Sequence, residues 1–221
     1  DHSNIPTTNK LGGQMSITLY HCDGSRSMRP MWTMEEMGID YDLVTMKFPA
    51  RDHHREFTAI NPLGTVPYLV DGDVVMTESI AICQYLAERY GPTPLTVSPD
   101  EPDYPIYLNW LQRADATLTF PLALIYRYGQ LEPDERKNPQ IVADYIPWYM
   151  NRSKSIEMGL EGREYLCAGR FTIADIAVAF SVHFALVSVG LDKVLRPNTG
   201  HWWERVTARD AYRTLAKDLS L

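Results

Sequence analysis

Chemistry-bearing side chains gather in three places. The first is His21-Cys22-Asp23-Gly24-Ser25-Arg26-Ser27-Met28-Arg29, between a β-prone run and a helical one. A hydroxyl at the start of a helix can donate to an anion, and the helix dipole strengthens that hold. Ser25 sits at such a start, with Ser27 as second candidate and the Cys22 thiol as rival. Each also has a plain explanation: Ser25 as a loop or cap residue, Ser27 as an N-cap, and Cys22 as a small buried apolar group. The second place is Glu78-Ser79, at the opening of another helix. Free N–H groups and partial positive charge there suit a carboxylate, and Glu78 can receive an amino group of the same ligand. The alternative is that both residues merely decorate a first helical turn. The third is a basic cluster, Lys47, Arg51, His53, His54 and Arg55, on a chain of formal net charge −7. Such a cluster attracts carboxylates, or else forms a solvated helical face.

The stretch Ile60–Tyr90 organises the elements that position these groups. Asn61-Pro62 and Gly64 break the chain. Val66-Pro67-Tyr68-Leu69-Val70 is β-prone, and its proline, which cannot donate to a sheet ladder, belongs at the strand start or on an edge. Val66-Pro67 is also a candidate for a cis bond. Asp71-Gly72 signals a hairpin into Val74-Val75-Met76. Thr77 is placed to cap a helix whose Ile80, Cys83, Leu86, Ala87 and Tyr90 share one face, and Gly91-Pro92 ends it. Upstream, Ile17–Tyr20 reads as a strand, Met28–Met37 as a helix before Gly38, Tyr41–Met46 as a second strand paired parallel with the first, and Arg51–Ile60 as a short or irregular helix. The order βαβαββα is that of a thioredoxin-like domain. Cys22 has no partner cysteine two residues on, so the thioredoxin redox motif is absent.

Residues 92–103, rich in proline, read as a linker. Everything after them reads as helix: Ile106–Tyr128 kinked at Pro121, Ile141–Leu160 kinked at Pro147, a third helix opened by the capping-box variant Thr172-Ile173-Ala174-Asp175, and shorter pieces over Leu191–Leu195 and His201–Leu219. Phe171–Leu191 is the most apolar region, but its spacing and its Asp175 and His183 fit a core helix and not a membrane span. The fold expected is α/β plus all-α: an arm or expression remnant over 1–14 ahead of a natural start at Met15, a thioredoxin-like domain over 15–91, the linker, and an all-helical domain over 104–221. The acidic balance argues against nucleic-acid binding. The three cysteines, Cys22, Cys83 and Cys167, lack disulfide or zinc spacing, which points to a reducing compartment and to no metal.

Val66-Pro67 followed through a hairpin by Glu78-Ser79, together with Tyr165-Leu166-Cys167-Ala168-Gly169-Arg170-Phe171-Thr172-Ile173-Ala174-Asp175-Ile176, resembles the cytosolic glutathione S-transferases of bacterial type over nearly the whole chain from Met15. The resemblance implies that glutathione is the co-substrate. Val66 and Pro67 would pair with its cysteinyl part, and Glu78 and Ser79 would hold its γ-glutamyl end. His53, with His54 as alternative, would meet its glycine carboxylate. Thr65 stands where the family often has Lys or Gln and would give a weaker contact. Ser25, four residues before Arg29, matches the serine-type members and would stabilise the thiolate. A free thiol is only a few per cent ionised at neutral pH, and a shift of about two units corresponds to roughly 2.7 kcal/mol of preferential thiolate binding.

Thr172 and Asp175 read as structural. A hydrophobic electrophile would bind between the domains, with Tyr107, Trp110, Arg113 and Thr117 foremost among the candidates for its pocket. The resemblance further implies a cytoplasmic homodimer in detoxification, with neither nucleic acid nor membrane as partner. Glutathione-dependent isomerase, dehalogenase and ether-cleaving lyase activities are alternatives, as is a non-catalytic binding relative.

Overall fold

The computed structural model describes residues 16–218. The expected arm over 1–14 and the start at Met15 lie outside them. The chain forms two compact units, one running up to Gly91 and the other spanning Pro92–Ala216.

In the first unit, β1 (Ile17–His21) is followed by α1 (Met28–Met37), β2 (Tyr41–Thr45), the short α2 (Ala50–His53) and α3 (Phe57–Ile60), β3 (Tyr68–Asp71), β4 (Val74–Met76) and α4 (Ser79–Arg89). The four strands lie in the order β2-β1-β3-β4. β1 pairs parallel with β2 and antiparallel with β3, and β3 pairs antiparallel with β4. This is the expected thioredoxin-like sheet. Every residue of β1 is buried, as a central strand requires, and Tyr20, Phe57 and Tyr68 pack ring against ring with Cys22, Met46 and Ala50.

Several boundaries depart from the sequence reading. The predicted strand over 66–70 starts at Tyr68, because Val66-Pro67 is cis and precedes the ladder. The hairpin turn falls one residue later, on Gly72-Asp73, since Asp71 still pairs with Val74 and Gly72 takes the left-handed φ of 61°. The single irregular helix expected over 51–60 is two short ones. Thr77 is not the cap of α4: the N-cap position falls on Glu78, whose backbone is extended and whose side chain makes no capping bond.

The second unit is helical: α5 (Tyr104–Gln112), α6 (Phe120–Tyr126), α7 (Pro139–Arg152), α8 (Lys154–Gly159), α9 (Ile173–His183), α10 (Pro197–Thr207) and α11 (Asp210–Asp218). The predicted long helix is continuous from α5 into α6, but Arg113–Thr119 between them winds as π-helix. The wide turn lies just before Pro121, which has no N–H for the regular ladder, and within it the Thr119 hydroxyl donates to the Ala114 carbonyl at 2.7 Å. α9 is buried along its whole length and forms the core of this unit.

Its entry is the predicted capping box. Asp175 Oδ2 accepts the Thr172 N–H at 2.9 Å and Thr172 Oγ1 accepts the Ala174 N–H at 3.2 Å. Asp175 also reaches beyond its helix, with Oδ1 accepting the Leu166 N–H at 3.1 Å and the Trp202 indole N–H at 2.9 Å. Burial pushes the Asp175 carboxyl up to about 6, against the pull of these donors. The 92–103 segment is tied down beside it: Arg170 pairs with both oxygens of Glu101 at 2.6 and 2.7 Å and donates to the Pro94 and Thr96 carbonyls.

Candidate functional site

The candidate site in the first unit begins where β1 stops. Gly24, at φ 67°, supplies the left-handed step that returns the chain, and the Ser25 N–H closes the turn on the Cys22 carbonyl at 3.2 Å. A second turn, Met28 N–H to Ser25 carbonyl at 3.1 Å, feeds directly into α1. Ser25 is thereby held at the helix start. It keeps 8% of its surface exposed, whereas Ser27 and Cys22 keep none. Of the three candidate groups at this junction, Ser25 is the one with a path to the outside.

The side chains around it are linked. Ser25 Oγ lies 2.5 Å from Ser27 Oγ, Ser27 Oγ lies 2.7 Å from His21 Nδ1, and His21 Nε2 lies 3.1 Å from Asp23 Oδ1. His21 is buried, and that burial pulls its pKa below the ordinary value although Asp23 pulls it up. Burial and the Asp23 charge push the Cys22 thiol up to about 12, so Cys22 is a neutral packing group at physiological pH. Sequence reasoning singled out neither His21 nor Asp23. The signal was there in part, as a histidine closing an otherwise apolar strand and an acid two residues on.

Arg29 is fully buried, and its Nη1 donates to Ser79 Oγ at 3.0 Å. The spacing Ser25–Arg29 therefore has a structural meaning that sequence could not supply. One turn of α1 carries the guanidinium from the serine loop to the N-terminus of α4. Because Ser79 Oγ accepts from Arg29, its own hydrogen is left to donate. Glu78 beside it is exposed, and as N-cap residue it makes no side-chain bond to the first N–H groups of the helix. An acceptor-seeking positive end, a hydroxyl donor and a free carboxylate thus meet at one point, which suits a ligand carrying both a carboxylate and an amino group.

Between these two ends runs the segment 61–67. Asn61 is buried; its Nδ2 donates to the Thr65 carbonyl at 2.8 Å and its Oδ1 accepts the Leu63 N–H at 3.2 Å. Asn61 was read from sequence only as a breaker, yet it clamps the loop that delivers Thr65 and the cis Val66-Pro67 bond. Thr65 is exposed, Val66 half-buried and Pro67 buried. His53 is exposed at the end of α2. His54 is engaged, its Nε2 accepting the Lys47 N–H at 3.1 Å.

The proposed acceptor-pocket residues lie in the second unit. Tyr107 and Trp110 are buried in it, Trp110 against Gly159 and under the Arg113 guanidinium at 4.6 Å, while Arg113 and Thr117 remain partly exposed. Among the described residues no cluster of His, Cys, Asp and Glu could hold a metal ion, and no helix is long and apolar enough to cross a membrane.

Residues 15–88 match the family described as glutathione S-transferase, N-terminal domain. Over 214 residues the sequence is 27% identical to glutathione S-transferase 3 of Schizosaccharomyces pombe, covering 91% of this chain and 87% of that one. It is 29% identical over 204 residues to the glutathione S-transferase GstB of Escherichia coli, covering 89% and 96%. Among solved structures, Ure2p5 of Phanerochaete chrysosporium, cocrystallized with 1-(S-glutathionyl)-2,4-dinitrobenzene, superposes with a TM-score of 0.81 at 24% identity, covering 95% of this chain and 96% of that one.

Proposed function

We propose that the chain is a glutathione transferase in which Ser25 stabilises the glutathione thiolate for attack on a hydrophobic electrophile, a reading supported by the match of residues 15–88 to the glutathione S-transferase N-terminal domain and by the similar transferases of Schizosaccharomyces pombe and Escherichia coli. The observation that carries this reading is the buried Arg29–Ser79 bond. It joins the helix that starts at the reactive serine to the helix whose open N-terminus offers a seat for the γ-glutamyl end.

The tripeptide then runs from Glu78 and Ser79, which take its amino and carboxylate groups, past the Val66-Pro67 backbone, which takes its cysteinyl amide. The cysteinyl sulfur ends at Ser25. His53 and, more weakly, Thr65 take its glycine end. A substitution releases the leaving group as second product; an addition gives a single adduct, in which the acceptor takes up a proton. The role is detoxification in the cytoplasm.

A generic aryl halide with glutathione tests the activity, alongside retention on immobilised glutathione. Retention without turnover of any electrophile would make the protein a binding relative. Glu78→Gln and Ser79→Ala should each weaken glutathione binding by about 1.5–3 kcal/mol, the usual worth of a hydrogen bond to a charged group. Calorimetric affinities equal to wild type in both variants would defeat the assignment of the γ-glutamyl seat. The protein acts as a homodimer, for which the exposed Val74 and Val75 of β4 and the exposed Phe120 of the helical unit offer apolar surface. Light scattering at micromolar concentration should give twice the chain mass, and a monomer mass would refute it.

A further inference from the structure

Ser25 does not stand alone, and the order of its hydrogen bonds has a direction. The Asp23 carboxylate can only accept, so the Nε2 that faces it at 3.1 Å carries a hydrogen. In the neutral ring Nδ1 is then an acceptor. Ser27 must donate to it at 2.7 Å, and Ser25 must donate to Ser27 at 2.5 Å. With the protons so arranged, Ser25 turns lone pairs outward, which is the wrong polarity for holding a thiolate but the right one for receiving the hydrogen of a thiol. Placing a proton on Nδ1 reverses every bond in the chain. The imidazolium donates to Ser27, Ser27 donates to Ser25, and Ser25 points its hydrogen outward.

We propose that His21 is the acceptor of the glutathione thiol proton, reached through Ser25 and Ser27, with Asp23 holding the imidazolium that results. This inference rests on the transferase reading above. The step balances atom by atom. The S–H bond breaks and its proton joins Ser25 Oγ; the proton Ser25 held passes to Ser27 Oγ, and the one Ser27 held passes to His21 Nδ1. Both hydroxyls end as they began, turned around, and the electron pair of the S–H bond stays on sulfur.

Thiolate and imidazolium appear together, so the buried site gains no net charge. The reversed chain then offers the thiolate the donor it needs. Burial keeps His21 neutral in the resting protein, and Asp23 opposes that burial. Asp23 is the charged group at the ring. From the neighbouring strand side, the Met46 N–H binds the His21 carbonyl at 2.7 Å, and the adjacent Cys22 stays a neutral thiol. Once the thiolate has been consumed, the chain runs backwards: Nδ1 returns its proton to Ser27, Ser27 passes one to Ser25, and Ser25 releases one to water or to the leaving group, while Nε2 keeps the hydrogen it gives to Asp23.

His21 is in these terms a positioning residue, acting on the ligand through two hydroxyls. The test uses His21→Asn, which removes titration, and Ser27→Ala, which cuts the chain while keeping the imidazole. Bound thiolate is followed by its ultraviolet absorbance against pH, and protons released on mixing with glutathione are followed with an indicator in weak buffer. In wild type, fewer than one proton should appear per thiolate formed at neutral pH. In both variants each thiolate should release its full proton, and the thiolate midpoint should rise by about one unit. Their kcat/KM should fall about tenfold at mildly acidic pH and recover towards wild type at alkaline pH, with KM for glutathione kept.

Wild-type midpoints and proton release in the folded variants would overturn the inference. So would a loss equal at every pH with proton release unchanged, which is the mark of a structural role. If His21→Asn does not fold, Ser27→Ala decides by the same readouts. A wild-type protein that forms no bound thiolate and conjugates nothing would instead bring down the transferase reading, and the inference with it.

Discussion

Ser25→Ala should lower conjugation of glutathione to an aryl halide by about 10²–10³ in kcat/KM, the usual cost of removing one preorganised donor from a developing or bound anion. Ser25 lies in the turn that feeds α1 and is the least buried of the three candidate groups at that junction. The loss is bounded from above because the N-terminal N–H groups of α1 remain and still favour negative charge. The bound thiol should titrate closer to free glutathione, so activity in the variant should climb with pH over a range where the wild type is already flat. Glutathione affinity should change little, since its carboxylates are held elsewhere. Cys22→Ala is the control. That thiol is fully buried and held protonated by its surroundings, so its removal costs packing and leaves conjugation nearly intact. A variant pair with the opposite pattern, Cys22→Ala inactive and Ser25→Ala unchanged in rate and thiol midpoint, would move the enzyme to the cysteine-type thiol transferases and lyases.

What the sequence made legible is what local chemistry dictates. Gly24 and Gly38 sit where a left-handed residue is required, at φ 67° and 63°, and so they bound α1 in sequence as they do in the fold. The proline in Val66-Pro67 marked a strand start or an edge, and Asp71-Gly72 marked the hairpin to within one residue. The capping box at Thr172 and Asp175 was visible because its residues lie within one turn. The illegible parts depend on residues far apart or on competition between neighbours. Arg29 and Ser79 are fifty positions apart and meet only when α1 and α4 pack. Thr77 looked like the cap, and Glu78 took the position because the extended backbone continues one residue further. Pro121 signalled a disturbance in its helix, but whether that would be a kink or the π-helical turn over Arg113–Thr119 depends on packing around α9, which no local pattern encodes. The His21–Ser27–Ser25 chain needed the loop geometry that Gly24 creates before three ordinary side chains could be seen as one.

Asp175→Ala should be the most damaging change to stability outside the first unit, at about 3–5 kcal/mol near pH 5. The carboxyl group serves donors from three places at once, and its oxygens go on accepting when it is protonated: the Thr172 N–H of its own capping box, the Leu166 N–H of the preceding loop and the Trp202 indole of α10. All lie in the buried interior, so water cannot replace the lost acceptor, and each abandoned donor carries a desolvation penalty. Trp202→Phe removes one of these donors and should cost far less, because the carboxylate keeps the others. The pH dependence has a definite sign. The folded pKa of Asp175, about 6, lies above the ordinary carboxylate value, so in the intervening range the folded protein binds the extra proton. Its contribution to stability is complete below the ordinary value and is lost as pH rises through about 6. The alanine variant has no such group, so the gap between the two proteins should narrow from acidic to neutral pH. Chemical denaturation followed by far-ultraviolet circular dichroism measures both quantities. A gap under about 1 kcal/mol at every pH would show that the network contributes no more than an ordinary surface contact. A gap that widens with pH would show that the donors outweigh burial and hold Asp175 as a low-pKa carboxylate.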